Sequence, residues 1–137
     1  MRDEQIALAR RAVACKGWRW MPGMAVQAVL TDGAVEPVVG IVVGFMDVLP
    51  SVWWPDLLAR RVHHPTNHLI PDLSDPSTLG CLLALVREAW GDKRTAVKWW
   101  EPEGCAYYIH PLDTWRQPIT LFASEAEALV AALEAAP

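Results

Sequence analysis

The segment Asp75-Pro-Ser-Thr-Leu-Gly-Cys-Leu-Leu-Ala-Leu-Val-Arg-Glu-Ala-Trp-Gly91 decides the fold class, because it carries every signal of a buried helix. Asp75 is a typical N-cap, Pro76 suits the first helical position and Gly91 suits a left-handed stop. Apolar side chains recur along one stripe at helical spacing: Leu79, Leu82, Leu83, Val86 and Trp90. We therefore predict that this helix forms the centre of the hydrophobic core.

Strand patterns lie on both sides of the helix. Two β-branched runs, 25–30 and 34–43, flank Thr31-Asp-Gly33, and Asp-Gly between such runs predicts a hairpin. Pro37 predicts a sheet edge or a bulge in the second run. After the helix, residues 95–100 and 105–110 predict a second pair of strands.

Two further helices are predicted near the ends of the chain, at residues 3–15 and after the capping box Ser124-x-x-Glu127. Residues 47–76 contain five prolines and predict an irregular loop, with a short helix beginning at Pro55. Helices and antiparallel hairpins alternate without βαβ units. The predicted class is α+β, an antiparallel sheet of Trp-containing strands packed with about three helices in a single domain over 1–137.

Composition excludes several classes of protein. Hydrophobic residues make up 53% of the 137 and charged residues 20%, which is typical of a globular chain. Twelve Lys+Arg against 16 Asp+Glu argue against general nucleic-acid binding. Neither a membrane span nor a signal peptide is recognised, and three cysteines without C-x-x-C spacing favour reduced thiols in the cytoplasm. The high apolar content of so small a chain favours a homo-oligomer.

Tryptophan is the most distinctive residue type, with eight Trp against two Phe and two Tyr. In Trp18-Arg19-Trp20 the strand-like period places both indoles on one face, with a guanidinium between them. Lys98-Trp99-Trp100 repeats this pattern, and Arg94 lies nearby. Indoles stack on bases and cations bind phosphates, so these seven residues form a candidate nucleotide-binding site. The alternative is that the indoles fill the core while the cations extend into solvent.

Trp53-Trp54 beside Arg60-Arg61 is a candidate protein interface. Since neighbouring side chains on a strand alternate, both indoles cannot face inward. Trp and Arg are enriched in protein–protein contacts. The alternative is a small local core under the loop.

Catalytic and metal sites are weakly indicated. His63, His64 and His68 are the candidate zinc ligands. His64 and His68 have the spacing of a helical zinc pair, but the residues between them disfavour a helix. Cys105 and His110 are the one local Cys/His pair, and their odd separation places them on opposite strand faces. We therefore predict no catalytic residue, metal or cofactor, and keep a small hydrolase using Cys105 and His110 as an alternative.

Residues 17–24 and 70–91 resemble segments of small phage and prophage proteins, and residues 122–133 are similar to the ends of proteins described as a phage α-β-α sandwich domain. Relative to that pattern, about residues 25–69 look like an insertion. The resemblance implies a phage accessory protein that counters bacterial defence in the host cytoplasm. It implies no catalytic residues.

Together these observations give two binding hypotheses. The first is sequestration of a nucleotide-derived immune signal by the Trp/cation clusters. The second is direct inhibition of a bacterial defence protein through a Trp-rich surface.

Overall fold

The computed structural model describes residues 3–55, 60–63, 68–100, 106–110 and 120–137, with the backbone alone for 60–63 and 100. In chain order the elements are α1 (Asp3–Ala14), β1 (Ala25–Val29), β2 (Val35–Met46), β3 (Leu49–Trp54), β4 (Arg60–His63), β5 (Leu69–Pro71), α2 (Pro76–Trp90), β6 (Ala96–Trp100), β7 (Ala106–His110) and α3 (Glu125–Glu134). Three helices and antiparallel strands confirm the predicted α+β class. Within the described chain, none of the helices has the length and apolar character that crossing a membrane requires.

The strands form two antiparallel sheets. One has five strands in the order β4-β3-β2-β1-β5, and the other is the β6–β7 hairpin. A bridge between Tyr107 and Phe122 joins the approach to α3 to the smaller sheet. The predicted β1–β2 hairpin is confirmed, and its register shifts opposite the segment that contains Pro37, as a bulge there requires.

The core forms where the helices pack on one another and on the strands. α2 contacts α3 most extensively, and α3 also contacts α1, β6 and β7. The predicted caps of α2 are confirmed, since Asp75 accepts a hydrogen bond from the Thr78 amide and Gly91 is left-handed at φ 63°. Trp90 Nε1 donates to the Ala132 carbonyl of α3 at 2.8 Å, which satisfies the indole inside the α2–α3 contact.

The prediction of an irregular stretch over residues 47–76 is wrong, because β3, β4 and β5 all lie within it. The prolines are compatible with these strands because of where they stand. Pro50 pairs with Phe45 of β2 but precedes the first β4 pairing, and Pro71 belongs to the edge strand β5. A proline needs no amide partner at such one-sided positions. The helix predicted from Pro55 is also wrong over Arg60 and Arg61, which begin β4; residues 56–59 lie outside the described residues.

A close backbone–indole contact fixes the centre of the large sheet. A Cβ placed on Gly40 of β2 would lie 2.5 Å from Val52 Cγ1 and 2.6 Å from Trp54 Cε3. Both neighbours are buried side chains of β3. The Trp54 ring therefore lies where any side chain at position 40 would have to be.

We predict that Gly40→Ala destabilises the fold by about 1–3 kcal/mol, because the added methyl overlaps Val52 and Trp54. Urea unfolding followed by circular dichroism measures this change. Gly80→Ala is the control, since a Cβ at that position in α2 meets nothing within 4 Å. The control is expected to keep or slightly raise stability, because alanine favours a helix over glycine. Equal stability of both variants would contradict the steric explanation.

Candidate protein-docking surface

The predicted Trp18-Arg19-Trp20 strand does not form, since residues 18–21 follow α1 without strand structure. The two indoles contact each other edge to face, with ring centroids 5.4 Å apart and planes at 87°. Trp20 is only 7% exposed and belongs to the core, and Trp18 packs against that core. The packing alternative therefore describes Trp20, which is buried, and it also fits Trp18, which packs against the core.

The Trp18 indole has one unusual feature. Its Nε1 is buried and has no hydrogen-bond partner among the described atoms. Leaving a buried donor unpaired costs about 1–3 kcal/mol, so this ring is held by packing and not by its polar group.

Two of the three predicted cations are paired with carboxylates. Arg19 donates to the Glu88 carboxylate of α2, and Arg94 Nε donates to Asp92 Oδ1 at 3.2 Å. The hydrogen bond from Arg94 lowers the pKa of Asp92. A phosphate group would have to compete with a carboxylate for each guanidinium.

The second predicted Trp cluster lies on the β6–β7 hairpin. Trp99 is 45% exposed and packs edge to face on its cross-strand partner Tyr107, with centroids 4.9 Å apart. Lys98 is exposed beside it. Only the backbone of Trp100 is described, so the prediction for its side chain lies outside the described residues. Among the described rings, no aromatic contact joins Trp99 to Trp18 or Trp20.

The two adjacent indoles of β3 point in opposite directions, as alternation requires. Trp54 is 3% exposed and packs over Gly40, whereas Trp53 is 38% exposed. The β3–β4 register places Arg61 opposite Trp53 and Arg60 opposite Trp54, both known by their backbone alone. Trp54 is thus a core residue, which corrects its predicted place in an exposed interface.

Trp53 belongs to a larger group of exposed apolar side chains on the β2–β3 hairpin, which we name the β2–β3 apolar surface. Its members are Ile41, Val43, Phe45, Met46, Val48 and Trp53. They lie on both faces of the hairpin, because Phe45 pairs with Pro50 on the face of Trp54, whereas Ile41 pairs with Trp53 on the other face. Ile41 is the direct cross-strand partner of Trp53, and Val48 at the turn is 79% exposed. Clusters of exposed apolar side chains are often functional on ordinary monomers.

The β2–β3 hairpin itself carries little charge, although Arg61 of the neighbouring β4 pairs with Trp53. Residues 41–53 contain a single charged residue, Asp47. Asp47 lies in the turn between Met46 and Leu49 with φ at 60°, a conformation that favours glycine. The hairpin therefore offers apolar side chains along its strands and one carboxylate in its turn, with an arginine on the next strand.

Sequence reasoning found Trp53 but missed the other five residues of the surface. The signal was present in residues 38–46, where apolar side chains occupy both strand parities. In a strand with one face in water, apolar and polar residues alternate along the sequence. A strand that is apolar on both faces indicates that other atoms cover both faces, or that one apolar face is exposed to solvent.

A cavity of about 450 Å³ opens where the C-terminal ends of α1 and α3 meet. Its polar lining includes Arg11, Lys16 and Glu134, and Cys15 also contacts it. Arg11 forms two hydrogen bonds to the Glu134 carboxylate, at 2.9 and 2.7 Å. Burial raises the pKa of the Cys15 thiol, so the thiol is protonated at neutral pH and is a poor nucleophile. None of the sequence-predicted site residues lines this cavity.

The metal and catalytic candidates that the structure describes lie on different elements. Among the described residues, no group of three His, Cys, Asp or Glu side chains could hold a metal ion. His68 is exposed, His63 lies in β4, and His64 lies outside the described residues. His110 is half-buried on β7, and its predicted partner Cys105 also lies outside. The hydrolase alternative remains a prediction.

No protein-family model, curated protein or solved structure matches the chain. The relation to phage accessory proteins therefore remains a prediction from residues 17–24, 70–91 and 122–133.

The Arg11–Glu134 pair predicts a pH-dependent contribution to stability. The hydrogen bond from Arg11 lowers the pKa of Glu134 below its ordinary 4.5 in the folded protein. The pair therefore stabilises the fold above the carboxyl's unfolded pKa, and this contribution is lost as the pH falls through the folded pKa. Because the side chains of Arg11 and Glu134 are 54% and 38% exposed, solvent screens the pair, and we expect Glu134→Gln to cost about 0.2–1 kcal/mol at pH 7.

Urea unfolding at pH 7 and pH 3 tests this expectation, with Arg11→Gln and the double variant completing a cycle. The coupling between the two positions should be present at pH 7 and smaller at pH 3, because protonation of Glu134 begins as the pH falls towards its folded pKa. A coupling that is the same at both pH values would show that the ion pair does not contribute as described.

Proposed function

We propose that this protein acts without catalysis, by binding another protein through the β2–β3 apolar surface. The observation that carries the proposal is the exposed cross-strand pair Trp53 and Ile41, with four further exposed apolar side chains on the same hairpin. Aromatic residues enriched at the core of a patch, with few charges, are characteristic of protein interfaces.

The apolar character of the surface defines the chemistry of the partner. Exposed apolar side chains gain free energy when other apolar atoms cover them. The partner therefore presents a complementary apolar patch.

The resemblance to phage accessory proteins gives this binding a role. In our proposal the partner is a bacterial defence protein in the host cytoplasm, which the surface docks on and blocks. The support for that role is the resemblance of residues 17–24, 70–91 and 122–133.

Sequestration of a nucleotide-derived signal stays a prediction, and the described geometry supports it less well. Trp20 is buried, Arg19 pairs with Glu88, and Arg94 pairs with Asp92. We expect calorimetric titration with cyclic dinucleotides and ADP-ribose derivatives to give no heat of binding. Tight binding that is lost in Arg19→Ala would favour sequestration over docking.

Site-specific photo-crosslinking in bacterial cells tests the docking proposal. Benzoylphenylalanine at position 45 lies on the β2–β3 apolar surface, and the same group at Leu121 is a matched control, since Phe45 and Leu121 are 44% and 41% exposed. We expect position 45 to give an adduct with a distinct protein that position 121 does not give. Adducts between two copies of the chain are recognised by mass and counted separately.

The crosslinked partner is then purified and titrated against the wild type and Val43→Lys. A charge at the exposed Val43 should weaken binding about tenfold or more, because the ammonium would be buried without a counter-charge. Identical adducts from positions 45 and 121, or unchanged affinity of a folded Val43→Lys variant, would overturn the proposal.

A further inference from the structure

We draw no further inference here: the strongest candidate, the open cavity where the C-terminal ends of α1 and α3 meet, points to no ligand, because Arg11 and Glu134 on its wall bond each other, Lys16 is exposed to solvent, and none of the described side chains that line it holds a polar atom that is both buried and unpartnered.

Discussion

The packing of the Trp54 ring against the bare backbone of Gly40 is the contact on which the arrangement of the large sheet depends. It leaves no room for a side chain at position 40 and fixes which face of β3 is buried. Because side chains on a strand alternate, burying Trp54 obliges Trp53 to point outward, together with its cross-strand partner Ile41. A slip of one residue in this register would exchange the two indoles. The exposed surface is thus a consequence of how the core is packed.

Tryptophan has several different roles in this molecule. Trp54 and Trp20 fill the core, and Trp90 bonds α2 to α3 through its indole N–H. Trp53 and Trp99 are exposed on separate sheets. The abundance of tryptophan in the sequence therefore indicated a binding protein in general. Only the burial of each indole ring in the structure shows which tryptophans are accessible to a partner. The cations that suggested a nucleotide site are largely committed to carboxylates of the same chain, since Arg19 and Arg94 pair with Glu88 and Asp92.

The exposure of the β2–β3 apolar surface affects both the stability of the monomer and its tendency to associate. Apolar area left in water gives no stabilisation to the monomer, and an exposed apolar strand pair promotes association. A small chain that keeps such a surface is better explained by an occupant than by folding alone, because the same positions could carry polar side chains without loss to the core.

Local signals in the sequence were sufficient for the helices and for the first hairpin. Asp75 and Gly91 set the ends of α2 through bonds within a few residues, and Asp32-Gly33 sets the β1–β2 turn in the same way. Strands β3 to β5 were not predicted, because Pro50 and Pro71 stand within them and proline is depleted in strands. A proline interrupts a strand only where a neighbouring strand would accept a hydrogen bond from the backbone amide at that position. Which strands are neighbours depends on distant parts of the chain, so the local sequence does not reveal it. The exposure of Trp53 and the burial of Trp20 likewise depend on long-range packing. Sequence alone thus determined what can form from adjacent residues, and tertiary structure decided which faces meet water.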